Sequence, residues 1–227
     1  MTIANWIILG LSIISAGLLI LGYTKKISLL QKVTECLIIP LFGTLYFLIL
    51  RNYLPDSLHL IKISITALSF ITISTVLISF ENKKQLRIIG RILVLAGAIC
   101  WISLYRTIFY IHKVPLWFTL LMLILYIAAI ISAIVISGKL EAIVYILFAA
   151  GFALSAYLHF CSLIFLCYER SASAFMLFAG TTLFLALTAF HFINQTKLKI
   201  KHAGAIRYCL LVASQILIAC SNILLIS

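Results

Sequence analysis

The chain has 227 residues, of which 65% are hydrophobic and 10% are charged, and its net charge is +12. A soluble domain carries about 25% charged residues, so this composition excludes a water-exposed globular body and indicates a membrane protein. We expect the 17 Lys and Arg residues in short connections rather than along one helix face, which argues against nucleic-acid binding and is typical of a topology signal.

Eight apolar segments follow one another along the chain, each near the ~20 residues that cross a bilayer. Lipid offers no partner to an unpaired backbone amide, so we predict that all of them are helices. The sequence therefore predicts an all-α polytopic membrane protein, a bundle of eight transmembrane helices forming a single domain over residues 1–227. The predicted spans are Ile3–Gly22, Val33–Leu50, Ile61–Phe80, Ile88–Tyr110, Leu116–Ser137, Leu140–Cys167, Ser173–Ile193 and Ile206–Ile226.

Basic residues are distributed unevenly between the connections. Twelve of the 17 belong to odd-numbered connections and five to even-numbered ones. Connections rich in Lys and Arg stay in the cytoplasm, so we expect both termini on the non-cytoplasmic side, in agreement with an even number of spans. The expected location is the inner membrane of a bacterium.

Glu35 follows Lys32 by three residues and lies one turn inside the second span. Only fifteen residues separate it from the end of that span, about 22 Å of helix, whereas the hydrocarbon core is ~30 Å thick. Glu35 should therefore lie within or at the edge of the hydrocarbon. Two interpretations stay open: an interfacial carboxylate paired with Lys32 or another lysine, or a proton donor.

A second group of polar residues falls near the ends of the later spans. His191 is either an interfacial or helix-capping residue or an acid/base group. Thr75 and Thr188 are typical of helix-packing hydroxyls, and Gln215 of a side chain that joins helices. The predicted topology indicates a polar cleft open to the cytoplasmic leaflet, formed by Lys32, Glu35, Thr75, Tyr145, Thr188, His191 and Gln215.

His159 follows Ser155 by four residues, so both lie on one face of the sixth helix. An intramembrane zinc site would need further histidines and an aspartate, but the sequence has no second His pair and its single aspartate, Asp56, is in a connection. We predict neither a metal site nor a cofactor.

Four features make the chain resemble the YhhN-type membrane proteins, the family that includes lysoplasmalogenases. Lys32 with Pro40 is similar to the start of that family's second helix. The run Tyr145-Ile-Leu-Phe-Ala-Ala-Gly-Phe-Ala-Leu-Ser155-Ala156 resembles its sixth helix. The two remaining matches are Gly180-Thr-Thr-Leu-Phe184 and Tyr208-Cys-Leu-Leu-Val-Ala-Ser-Gln215.

The resemblance implies hydrolysis of the vinyl ether bond of a lysoplasmalogen to a fatty aldehyde and a glycerophospho-alcohol. The family carries an aspartate in its third and seventh helices, where this sequence has Thr75 and Thr188, and its histidine in the fourth helix has no counterpart. If the chain is active, we expect Glu35 as the acid, His191 as the base and Lys32 near the phosphate. Tyr145, Thr75, Thr188 and Gln215 would then contact the lipid.

Three functions stay open from the sequence. The first is a lysoplasmalogenase-like hydrolase acting on a lysophospholipid-like lipid. The second is a family member without hydrolase activity that binds a lipid or a partner in the same cleft, which the two threonines favour. The third is an unrelated small transporter or assembly subunit.

Overall fold

The computed structural model describes residues 3–53, 58–79, 84–106, 114–137, 141–193 and 203–226. Within these ranges the chain forms eight α-helices, in the order that the sequence predicts. Their bounds are α1 Ile3–Lys25, α2 Ser28–Tyr53, α3 Leu58–Ser79, α4 Lys84–Tyr105, α5 Leu116–Ser137, α6 Ala142–Glu169, α7 Ala172–Ile193 and α8 Ala203–Ile226.

Seven helices, α2 to α8, have the length and the apolar composition needed to cross a membrane, judged over the residues that the structure describes. The prediction of an all-helical, multi-pass membrane protein is therefore confirmed. The helix α1 extends over 23 residues. Its crossing of the membrane as an eighth span stays a prediction, as does the side on which the termini lie.

Basic residues occupy the end turns of several helices rather than the connections. Lys32 lies in α2, Lys62 in α3, Arg87 and Arg91 in α4, and Arg207 in α8. The expectation that the basic residues lie in short connections is wrong for these five, and also for Lys25, Arg51 and Lys84, which belong to α1, α2 and α4. Long cationic side chains can extend along a helix toward the polar surface, so the helix continues beyond the apolar segment. The last residues of the predicted fourth span, 107–110, lie outside the described residues.

Two compact units divide the chain, and the first comprises residues 1–104 with 226–227. In this unit α2 packs against both α1 and α3. The helices α3 and α4 approach closely at two glycines. A Cβ added at Gly90 would lie 2.8 Å from Ile78 Cγ1, and one at Gly97 would lie 2.9 Å from Ile71 Cγ1. Because residues later in α4 meet residues earlier in α3, the two helices are antiparallel.

The second unit comprises residues 105–225, with α6 packed closely on α7 and α5 against both. Its core contains a cluster of Phe148, Phe152, Ala156 and Phe192. The rings of Phe148 and Phe192 stack with their centroids 3.8 Å apart. Because lipid is as apolar as these side chains, close packing rather than exclusion of water holds such a bundle together. The single domain predicted over both units stays a prediction.

Candidate functional site

The corner between α1 and α2 determines the surroundings of Glu35. Lys26 has a φ of 56°, in the left-handed region, and the Ile27 amide donates to the Gly22 carbonyl at 2.9 Å. This is the Schellman arrangement that ends many helices. The Gln31 Nε2 donates to the same Gly22 carbonyl at 2.8 Å and ties α2 to the end of α1. The chain therefore reverses within a few residues and holds the end of α1 against the start of α2.

Glu35 is buried at this corner, with only 9% of its surface exposed. Its Oε1 accepts a hydrogen bond from the hydroxyl of Tyr23, the residue after Gly22 in α1. A buried carboxyl needs such a partner, because an unsatisfied one costs several kcal/mol in an apolar medium. The position of Glu35 within or at the edge of the hydrocarbon stays a prediction, whereas its burial between helices is a feature of the structure. Tyr23 was not foreseen as a partner, since nothing in a uniformly apolar pattern indicates which side of α1 faces α2.

A groove of about 550 Å³ runs between α2 and α3. Pro40 lies on its wall and has no amide hydrogen, so the helical bond to the Cys36 carbonyl cannot form there. Two of the hydroxyls along the groove bond to their own helices, since Thr44 donates to the Pro40 carbonyl and Thr72 to the Leu68 carbonyl, each at 2.8 Å. The surface is therefore mainly apolar. It is formed by Ile39, Pro40, Gly43, Thr44, Phe47, Ile65, Leu68, Ser69, Thr72 and Ile73.

Predicted site residues gather near one end of this groove. The helices α2 and α3 run antiparallel, so Ile39 of α2 and Ile73 of α3 mark the same end. Glu35 precedes Ile39 by four residues, which puts both on one side of α2. Thr75 follows Ile73 by two residues on α3. An apolar groove with a carboxyl group near one end can hold a hydrocarbon chain and present its polar head to an acid.

Lys32 and Thr75 differ in what their side chains can offer at this end. Lys32 is exposed one turn before Glu35, so its ammonium group is accessible to an anion. Thr75 is half-buried and donates to the Thr72 carbonyl at 2.7 Å. Its hydroxyl therefore bonds to its own helix, as is typical of a threonine that packs between helices.

The other predicted site residues belong to the second unit. The ring of Tyr145 lies 5.9 Å from that of Phe192, between centroids, and His191 is half-buried in the last turn of α7. The antiparallel pairing of α6 and α7 therefore brings Tyr145 and His191 to the same end of this unit. Thr188 donates to the Phe184 carbonyl at 3.0 Å. The proposed pairing of Glu35 with His191 joins residues of different units and stays a prediction.

Gln215 is 1% exposed, and its Nε2 lies 3.4 Å from the Ser214 hydroxyl. Such burial agrees with the expectation of a polar side chain inside the helix bundle rather than one facing lipid.

A histidine–tyrosine pair is the polar feature that the sequence pattern missed in this unit. His159 Nδ1 and the Tyr126 hydroxyl are 2.7 Å apart and link α6 to α5. The His159 ring also lies 5.2 Å from that of Phe178, between centroids. Among the described side chains, no group of three or more His, Cys, Asp or Glu residues could hold a metal ion. The pair joins α5 to α6 by a hydrogen bond between aromatic neighbours.

Comparison of the chain with protein-family models, curated proteins and solved structures finds no match.

Proposed function

We propose that this protein is an eight-span membrane enzyme that holds the chain of a single-chain ether lipid between α2 and α3 and cleaves its vinyl ether bond. The observation that carries the proposal is the apolar groove of about 550 Å³ with the buried Glu35 beyond one end. The volume falls within the ~300–1,000 Å³ of small-ligand sites. One groove suits a lipid with one hydrocarbon chain.

Binding in the groove would depend on shape and on the polar head group. A lipid chain leaves one apolar medium for another when it moves from the bilayer into the groove, so little hydrophobic free energy is gained. Selectivity must then come from packing along the groove and from charge at its end. The exposed ammonium group of Lys32 supports this part of the proposal, because it suits the phosphate of a lysophospholipid.

In the proposed reaction the Glu35 carboxyl group donates a proton to the alkene carbon farther from the ether oxygen, the one that carries the hydrocarbon chain. The resulting oxocarbenium ion takes up water, and the hemiacetal collapses to a fatty aldehyde and a glycerophospho-alcohol. The proton released from the attacking water balances the proton that Glu35 supplied. The hydrogen bond from Tyr23 supports this role, since it fixes the orientation of the carboxyl group. His191 is the base that we expect, and its role is tested with its own variant.

A second function, lipid binding without turnover, is favoured by one specific observation. Thr75 and Thr188 stand where the resemblance implies aspartates, and both hydroxyls donate to carbonyls of their own helices. A threonine cannot supply a proton of suitable acidity. In this alternative the groove holds the lipid and no carboxylate pair remains to cleave it.

Purified protein mixed with a lysoplasmalogen, with the fatty aldehyde measured, separates the two functions. We expect aldehyde release by the unaltered chain and a rate reduced about 10²-fold or more by Glu35→Gln, the usual contribution of a general acid. Glu169→Gln is the matched control, because Glu169 is exposed at the end of α6. His191→Gln should reduce the rate similarly if His191 is the base.

The outcomes of this assay distinguish hydrolysis from binding without turnover. Lipid that co-purifies with the protein but is never cleaved supports binding without turnover and contradicts the hydrolase. Full activity of Glu35→Gln removes Glu35 from the mechanism. A chain that neither cleaves nor retains the lipid overturns both functions.

The proposal includes a topology, with both termini on the non-cytoplasmic side and the Glu35 end of the groove in the cytoplasmic leaflet of a bacterial inner membrane. The exposed Lys25 and Lys26 at the α1–α2 corner support this orientation.

A further inference from the structure

The first turns of α4 carry an unusual concentration of positive charge. Arg87 and Arg91 are four residues apart, so they lie on one side of the helix, and both are half-buried. The first turn of α4 contains no acidic residue. The start of a helix already carries a partial positive charge, so arginines there are unfavourable unless an anion is present.

Two polar atoms beside these turns are buried without a partner. Among the described residues, neither Arg87 Nε nor the Ser74 hydroxyl has a hydrogen-bond partner, and Ser74 is 0% exposed. Other hydroxyls of α3 donate to their own helix, as Thr72 does to the Leu68 carbonyl. A buried polar group left unsatisfied is costly and rare, so each instance calls for an explanation such as an absent ligand.

Ser74 belongs to the contact between α3 and α4, and Arg87 lies within one turn of that contact. Gly90 lies between the two arginines in the sequence, and a Cβ added to it would be 3.0 Å from the Ser74 carbonyl oxygen. Ser74 is therefore on the side of α3 that faces α4, level with Gly90. Arg87 precedes Gly90 by three residues, which puts it on the same side of α4. The lack of a side chain at Gly90 lets the two helices approach at this level, and both arginines are within one turn of Gly90.

We propose that Arg87, Arg91 and Ser74 form a binding site for a phosphate group. A guanidinium group presents a planar fork of donors that matches phosphate oxygens, and the start of α4 adds its helix dipole. The serine hydroxyl would donate a further hydrogen bond. The phosphate belongs either to the head group of an anionic phospholipid or to a free anion, since both offer the same oxygens.

This site is separate from the groove of the proposed function. Ser69 and Thr72 line the groove, whereas Ile71 and Ser74 meet α4. At 100° per residue these two pairs lie on opposite sides of α3. The phosphate site can therefore exist whether or not the chain cleaves a lipid.

The test uses the full chain in detergent, stripped of lipid, with binding measured by native mass spectrometry. The probes are phosphatidylglycerol, which is anionic, and phosphatidylcholine, which is zwitterionic. We expect tighter binding of phosphatidylglycerol and an increase in its Kd of about tenfold in Arg87→Lys and in Arg91→Lys, because lysine keeps the charge but loses the fork. Arg207→Lys is the matched control, since Arg207 is also half-buried near the start of a helix.

Inorganic phosphate distinguishes the two sources of the group. The site binds a free anion if phosphate alone stabilises the unaltered chain, if Arg87→Lys loses this stabilisation, and if the chain shows no preference for phosphatidylglycerol. A preference for phosphatidylglycerol that phosphate does not reproduce assigns it to lipid. Equal effects of all three lysine variants would mean general attraction to the charged surface and would overturn the proposal.

Ser74→Ala tests the site without changing the charge. If the hydroxyl donates a hydrogen bond to the phosphate, this variant weakens binding of the preferred probe severalfold. Its thermal midpoint without any probe stays the same or rises, because an unsatisfied buried hydroxyl is removed. A Ser74→Ala protein that binds as tightly as the unaltered chain would exclude Ser74 from the site. The midpoint without probe also shows that each variant is folded.

Discussion

Gly43 offers a direct way to fill the groove between α2 and α3. It lines the groove, and a Cβ added to it would lie 3.8 Å from Leu68 Cδ1 and 3.9 Å from Leu68 Cβ. These are ordinary van der Waals distances, so the backbone can accept a side chain. Gly43→Ala should therefore keep the fold and the groove, whereas Gly43→Phe should keep the fold and occupy the space that a lipid chain would take.

The expected magnitudes separate stability from binding. Replacing glycine by alanine inside a helix stabilises it by up to about 1 kcal/mol, so Gly43→Ala should be as stable as the unaltered chain or slightly more so. A phenylalanine ring placed in the groove should raise the Kd for a lysophospholipid at least tenfold, which corresponds to about 1.4 kcal/mol. Its effect on stability should stay small, because the ring enters open space rather than a packed core.

Thermal unfolding in detergent measures the stability of each variant, and native mass spectrometry with a lysophospholipid measures binding. Gly17→Phe is the control, because among the described residues nothing beyond the backbone of its own helix turn and its chain neighbours lies within 4 Å of a Cβ added at Gly17, and this position is exposed on α1. Unchanged lipid binding by Gly43→Phe would refute the assignment of the groove as the lipid site. Loss of binding by Gly43→Ala would show that the groove is much narrower than the structure indicates.

Two further predictions concern packing in the second unit, both measured as free energies of unfolding in mixed micelles. A Cβ at Gly180 would lie 3.0 Å from the backbone nitrogen of Ile218, which cannot move aside easily. Gly180→Ala should therefore destabilise the protein by about 1–3 kcal/mol. The control, Gly17→Ala, should be neutral or stabilising. If the two glycine variants behave alike, the close approach of α7 and α8 is wrong. Ser162→Ala removes a 2.6 Å hydrogen bond to the Thr181 hydroxyl, which also donates to the Phe178 carbonyl of its own helix at 3.0 Å. The loss in free energy of unfolding should therefore stay near the ~0.6–1.7 kcal/mol of such bonds in membranes. A loss well above that range would indicate a cavity or a wider polar network.

The sequence alone determined the architecture, because the bilayer leaves few choices. Apolar segments long enough to cross it must be helical, and the eight helices follow the predicted order. Their ends were less well predicted where basic residues lie. Arg87 precedes the predicted fourth span, Ile88–Tyr110, yet α4 begins at Lys84, because long cationic side chains can reach polar surroundings while the backbone stays helical.

The sequence also predicted that Glu35 lies within or at the edge of the hydrocarbon, since the predicted span is too short to cross it without this residue, but its burial between helices came from the tertiary structure. Its partner Tyr23, the groove beside Pro40 and the contact of Ser74 with α4 were decided by the tertiary structure. The physical reason is that these helices are apolar on nearly all sides. A pattern with no polar face carries no information about which side meets a neighbouring helix, so only the packing itself fixes those contacts.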